Sequence, residues 1–230
     1  MKNFLAVAFV FLLVQLAHAE TVRTLSEKNE YGGTTKEITY SPEEEGSGVF
    51  SKMVLFFDGN GRQIRLESYY TDRKSLGSGI QRAVSYYDPE GKVTRLETYY
   101  TGTYALEKGF NRMTVHYGGN GKKSAFEYYH TDAAAERNGA KRTVVHLDDN
   151  EKTIRSEQFS TEKVAHEKGT ERVTISYDSN EKMTKAEYLY AEKSADEKGF
   201  DRMIILFDDQ GNETKIEYYK NKNLIQTLPQ

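Results

Sequence analysis

Glu37, Glu67, Glu97, Glu127, Glu157, Glu187 and Glu217 stand 30 residues apart, and so do Arg82, Arg112, Arg142, Arg172 and Arg202, with Lys52 heading their column. Carboxylates beside guanidiniums are raw material for acid–base chemistry. An active site, however, is one special constellation with shifted pKa values. A carboxylate repeated in every copy is the opposite of that. Opposite charges facing each other across two strands pin the register and contribute about 0.2–1 kcal/mol per pair. The two columns therefore read as a structural ion-pair ladder, Arg82 with Glu97, Arg112 with Glu127, Arg142 with Glu157, Arg172 with Glu187 and Arg202 with Glu217. No residue is assigned a catalytic role.

Other candidates reduce in the same way. His116 and His146 share a column, with His130 and His166 elsewhere. A zinc site wants three or four fixed ligands, and no third is marked out. Asp58-Gly-Asn-Gly61, Asp148-Asp-Asn-Glu151 and Asp178-Ser-Asn-Glu181 invite a calcium reading. The spacing and closing glutamate of a calcium loop are absent, and turn chemistry accounts for Asp, Asn and Gly. No metal and no cofactor are expected. Tyr69, Tyr99, Tyr129 and Tyr219 are the best lead to a binding surface. A row of tyrosines at sheet spacing can stack on sugar rings or receive a protein. The same rings can instead cover the aliphatic stems of the arginine column. Both readings stand at this point. No phosphate-binding glycine loop, nucleophile elbow or HExxH motif occurs.

The elements that position these columns follow from the period. Asp58, Asp88, Asp148, Asp178 and Asp208 form a further column, broken by Gly118, and Gly79, Gly109, Gly139, Gly169 and Gly199 another. Six full copies span 41–220, preceded by a segment, 20–40, that holds a partial copy, and followed by a polar tail, 221–230, expected to cap or fray. Each copy has one grammar. A β-branched and aromatic run such as Arg112 to Tyr117 suits a strand. A turn like Asp88-Pro89-Glu90-Gly91 follows, with Asp to start it, Pro to preset φ and Gly to accept positive φ. A second strand completes a β-hairpin.

A four-residue loop would pair Tyr87 with Lys92 and set Arg82 opposite Glu97, whereas a shorter loop with a bulge would break that pairing. The four-residue loop is the expectation. Positions 83, 85 and 87, with 94, 96, 98 and 100, then form a mostly apolar face. Arg, Glu and the tyrosine column share the other. Between hairpins, Thr161-Glu-Lys-Val-Ala-His-Glu-Lys-Gly169 has an N-cap, acids in its first turn and a terminal Gly, the signs of a two-turn helix. Ala105, Ala135, Ala165 and Ala195 would pack such helices on the sheet. The corresponding stretches SPEEEGSG and TDRKSLGSG of the first two copies are expected to be loose loops.

One hairpin cannot bury its apolar face, but stacked copies can. The fold class is all-β with short helical connectors: tandem 30-residue β-hairpin repeats forming an extended or curled antiparallel meander of about thirteen strands. Whether the sheet stays open or closes into a barrel is left undecided. The stretch YDPEGKVTRLETYY resembles the YD repeats of Rhs-type secreted proteins. The alternation of turns and aromatic strands is also similar to MORN and YwqK-type hairpin repeats. The likeness covers about half of each unit, and neither family has the 30-residue period or the helical connector. It implies hairpin arrays, secretion and roles as shells or interaction scaffolds.

Residues 1–19 have the parts of a secretory signal: Lys2, an apolar run from Phe4, and Ala17-His18-Ala19 before a mature start at Glu20. The 230 residues carry 32 basic and 35 acidic side chains, a formal charge of −3, which suits solubility rather than nucleic-acid binding. There is no cysteine, so an exported chain of this kind holds together without disulfides. The expected function is that of an exported bacterial protein, periplasmic or extracellular. It would bind or scaffold an envelope or extracellular macromolecule, protein or glycan, with self-association through edge strands as a further partner class and no transmembrane segment after cleavage. An exported enzyme or enzyme inhibitor is the alternative. Its single site would lie where a copy breaks the pattern, at Gly118, at the His116/His146 pair or in the first two connectors.

Overall fold

The computed structural model describes residues 22–40 and 49–229. The expected signal segment and the connector SPEEEGSG lie outside the described residues. Among the described residues, fifteen antiparallel strands form one sheet in chain order. They are β1 (Val22–Lys28), β2 (Thr34–Tyr40), β3 (Phe50–Phe57), β4 (Gln63–Tyr70), β5 (Ile80–Tyr87), β6 (Val93–Tyr100), β7 (Phe110–Tyr117) and β8 (Lys123–His130). The meander continues through β9 (Ala140–Leu147), β10 (Thr153–Ser160), β11 (Thr170–Tyr177), β12 (Met183–Tyr190), β13 (Arg202–Phe207), β14 (Glu213–Lys220) and β15 (Asn223–Pro229). The sheet is open: β1 pairs only with β2, and β15 only with β14.

Among the described residues, five helices join hairpins along one end of the strands: α1 (Asp72–Ser78), α2 (Gly102–Lys108), α3 (Asp132–Asn138), α4 (Glu162–Lys168) and α5 (Glu192–Lys198). The second connector is thus a helix, not the expected loose loop. Thr71 Oγ1 accepts the Lys74 N–H, Asp72 favours the first turn, and Gly79 takes the left-handed conformation at φ 71°. These signals outweigh the connector's Gly and Ser content. Successive helices also interlock. A side chain added at Gly109 would touch Ala134 at 3.3 Å, and one at Gly139 would touch Val164 at 3.0 Å. The carbonyls of Gly79, Gly109, Gly139 and Gly169 accept the N–H of residues 101, 131, 161 and 191. Ala105, Ala135 and Ala195 are buried as expected, while Ala165 is half-buried.

At the opposite end, the turns correct the expected register. Asp88 N–H donates to the Lys92 carbonyl at 2.9 Å and Gly91 N–H to the Asp88 carbonyl at 3.0 Å, so the loop has three residues. A type I turn followed by a left-handed glycine is one standard hairpin connection, and it carries a bulge. The bulge falls between Tyr86 and Tyr87, after which Tyr86 pairs with Arg95, Val84 with Glu97 and Arg82 with Tyr99. The pairing is displaced by two residues from expectation. Side chains alternate with period two, so both faces keep their expected membership while the cross-strand partners change.

The tail forms β15 rather than fraying. Asn221 and Lys222 both have positive φ, 51° and 69°, and Lys220 pairs with Asn223, a tight two-residue hairpin. Burial is thin throughout. Val84 is the one large side chain that is fully buried among the described residues. It heads a row with Val54, Thr114, Val144 and Ile204, which lies on the charged face beneath the Arg, Tyr and Glu side chains. On the other face, Tyr100, Phe110 and Tyr128 meet edge to face at 5.4 and 5.2 Å, and Tyr104 of α2 stacks on Tyr100.

Candidate binding face

The displaced register decides what the charged columns touch. Arg82 lies opposite Tyr99 in its own hairpin and opposite Tyr69 in the preceding one. Its guanidinium sits 4.3 Å from the Tyr99 ring centre and 5.7 Å from that of Tyr69. Arg112 lies 3.6 Å from Tyr129 and 5.8 Å from Tyr99. Lys52 lies over Tyr69, Arg142 over Phe159 and Arg202 over Tyr219. Cations and rings thus alternate across the strands, most regularly from Lys52 to Tyr129. Such contacts contribute about 0.5–1 kcal/mol each at exposed sites.

The expected binding tyrosines are half-buried, with their hydroxyls engaged. Tyr69, Tyr99, Tyr129 and Tyr219 donate to Glu67, Glu97, Glu127 and Glu217, each at 2.8 Å. The spacing of two residues puts ring and carboxylate on the same face of one strand. Burial, followed by the bond to Glu67, raises the Tyr69 hydroxyl pKa, and the bond to Glu217 raises that of Tyr219. Phe159 and Leu189 interrupt the row, so Tyr219 stands apart from the other three.

Five cations of the ladder column form ion pairs, but with different partners from those expected. Lys52 pairs with Glu37 at 3.6 Å, Arg82 with Glu67 at 3.9 Å, Arg142 with Glu127 at 3.4 Å, Arg172 with Glu157 at 3.3 Å and Arg202 with Glu187 at 3.6 Å. Every partner belongs to the preceding hairpin. The expected pairs within one hairpin do not form, because the bulge sets Tyr99, not Glu97, opposite Arg82. A second basic column takes the other side of each carboxylate: Arg65, Arg95, Arg155, Lys185 and Lys215 pair with the glutamate two residues on. Its periodicity was available in the sequence, where these residues stand 30 apart, with Ala125 in place of the third. Arg65 and Arg95 also stack on Phe56 and Tyr86, at 3.6 and 3.8 Å.

Ala125 lies directly between His116 and His146, pairing with each. His146 Nε2 is 2.9 Å from Glu157 Oε1, and His130 contacts the Gly109 carbonyl and Thr143. Among the described residues no group of three or more His, Cys, Asp or Glu gathers as a metal site would require. In the turns, the position that suits a cation beside a backbone carbonyl is taken by lysine. Lys122, Lys152 and Lys182 donate to the carbonyls of Asp149, Ser179 and Asp209 in the next turn, at 2.7, 2.7 and 2.9 Å. Two recesses lie between turns, one lined by Gly118, Asn120, Lys122 and Asp149, the other by Arg62, Tyr87, Pro89 and Gly91. Among the described residues no helix is long and apolar enough to cross a membrane.

These features define the class: an open, single-sheet array of β-hairpin repeats with a repeated Arg–Tyr–Glu surface. No family model and no curated protein matches the chain. Among solved structures, weak neighbours are chains of Tc toxin assemblies. A TcdB2-TccC3 structure without its hypervariable C-terminal region is 14% identical at a TM-score of 0.18, and the match covers 90% of this chain. The TcdB2-TccC3-Cdc42 structure is 14% identical at 0.18, and the Tc holotoxin pore of Photorhabdus luminescens 13% identical at 0.16. The chain spans 12–13% of the length of those chains.

Proposed function

We propose that the protein is an exported bacterial repeat module that binds an envelope or extracellular macromolecule along its sheet. The observation that carries this reading is the recurrence of one side-chain constellation at equivalent positions. A guanidinium against a ring, the ring hydroxyl on a glutamate and a second cation beside that glutamate repeat across an open sheet. Equivalent weak contacts on a continuous strip add by avidity. Rigid, amphipathic tyrosines lose little entropy on binding.

Co-sedimentation of the purified protein with bacterial envelope fractions over a salt series tests the proposal. Saturable binding is expected; no binding at any salt would contradict it. A second reading, a single enzymatic or inhibitory site, rests on the break in pattern where Ala125 separates His116 from His146. On that reading, removing the third copy alone would abolish activity.

A further inference from the structure

We infer that the ligand of the charged face is a linear acidic polysaccharide, laid across the strands so that the anionic group of every second sugar meets one arginine of a row. This rests on the binding reading above and names its ligand class.

The first observation is charge. The chain as a whole carries −3, yet this face is basic. Glu67, Glu157 and Glu187 each lie between two cations, one two residues earlier in the same strand and one from the next hairpin. The acidic excess lies elsewhere, in turns such as Asp148-Asp149 and Asp208-Asp209 and in helices such as α5. A polyanion is therefore steered to one side of the sheet.

The second observation is spare donor capacity. A guanidinium has five N–H groups, and the glutamates take only a share of them. The side chains of Arg82, Arg95 and Arg155 remain 32%, 40% and 47% exposed. Donors that the protein leaves unused on an exposed basic row suit carboxylate or sulfate oxygens.

The third observation is spacing, which separates one polyanion from another. Equivalent arginines recur on every second strand, so they lie about 10 Å apart at the usual strand separation. A disaccharide of an extended 1,4-linked chain has closely similar length. The phosphates of one strand of a duplex rise only about 3.4 Å per nucleotide. The sheet also twists from strand to strand, a path that a flexible chain follows and a stiff duplex does not. Tyr69, Tyr99 and Tyr129 stand between the guanidiniums and add partly exposed aromatic surface to the row.

The test measures binding of the full-length protein to polygalacturonate, to neutral dextran of matched length, to single-stranded polynucleotide and to vesicles of anionic lipid, beside the envelope fractions. The expected result is polygalacturonate binding that strengthens with chain length and weakens with salt, with no dextran binding and weaker binding to the other two. Combined Arg95→Gln and Arg155→Gln should lower affinity roughly tenfold, since each removes an exposed cation of the row. Lys182→Ala in the turns should leave it unchanged. Circular dichroism of each variant checks folding, and Arg95→Lys, which keeps the charge, should bind nearly as the parent does. Envelope binding without polygalacturonate binding would overturn the ligand class and leave the binding reading standing. Binding to neither would remove both. Preference for polynucleotide, vesicles or dextran would also overturn the inference.

Discussion

Arg142 Nη1 lies 3.4 Å from Glu127 Oε1, a carboxylate of the preceding hairpin, while the glutamate of its own hairpin, Glu157, is engaged by Arg172, Arg155 and His146. The Lys52–Glu37, Arg82–Glu67, Arg142–Glu127, Arg172–Glu157 and Arg202–Glu187 pairs thus fasten their hairpins to the one before. That is the arrangement an open array needs, because the junctions between repeats hold it together.

This relationship predicts the outcome of double-mutant cycles. Arg142→Ala and Glu127→Ala should couple by about 0.5 kcal/mol, as partly exposed pairs do. Arg142→Ala with Glu157→Ala should be additive. Coupling in the second cycle and additivity in the first would restore the pairing within one hairpin.

The helix caps give a second prediction. Thr161 Oγ1 accepts the Val164 N–H at 3.3 Å, whereas Ala191 at the same place in the next copy has no side chain to do so. Thr161→Ala should cost about 1 kcal/mol, and Ala191→Thr should gain a similar amount. Chemical denaturation measures both, and equal stability of Ala191→Thr and the parent would count against the cap as described.

A third prediction concerns the turns that lack glycine. Glu151 and Glu181 sit at φ 59° and 61°, where Gly91 sits at 80°. A left-handed non-glycine residue costs about 1–2 kcal/mol. The Glu181 carboxylate recovers part of this by accepting the Thr153 N–H at 3.3 Å. Gly91→Ala should therefore destabilise by about 1 kcal/mol, and Glu181→Gly should stabilise by less than that. A destabilised Glu181→Gly would mean that the turn-to-turn bond outweighs the backbone strain.

The turns also set the acid limit. The Asp148 carboxylate accepts the backbone N–H of Lys152 at 2.9 Å and of Asn150 at 2.8 Å, and these bonds hold it below the ordinary value of 3.8. Asp178 and Asp58 are lowered in the same way, first by Lys182 and Arg62. A lowered folded pKa contributes stability above the unfolded value and loses it as pH falls through the folded one. The turns should thus begin to weaken below about pH 3.8. NMR titration of the Asp148 carboxyl checks this; a midpoint at or above 3.8 would refute it.

Much of the fold was legible because the chain repeats itself. The strands from β2 to β14, the turn column, the helix caps and the membership of both faces followed from the period. The register did not follow, for a physical reason. A displacement of two residues leaves every side chain on its face, so the apolar pattern of Ala83, Ser85 and Leu96 cannot tell Arg82 opposite Glu97 from Arg82 opposite Tyr99. Only the turn decides, and Asp88 to Gly91 accommodates either loop length on paper. The strand β15 was hidden because Asn221-Lys222 lacks the glycine that usually announces such a turn. The basic face was hidden by a net charge that sums over turns, helices and both sides of the sheet.

The most direct test of a repeat-borne binding surface is removal of one whole copy, residues 131–160, which joins His130 to Thr161 and restores every column. Envelope binding and folding are then measured beside the parent. A folded, shorter array that binds several-fold more weakly is the predicted result, with the same outcome when residues 161–190 are removed instead. Complete loss of binding from one of these deletions and none from the other would place the activity in a single copy and contradict the account.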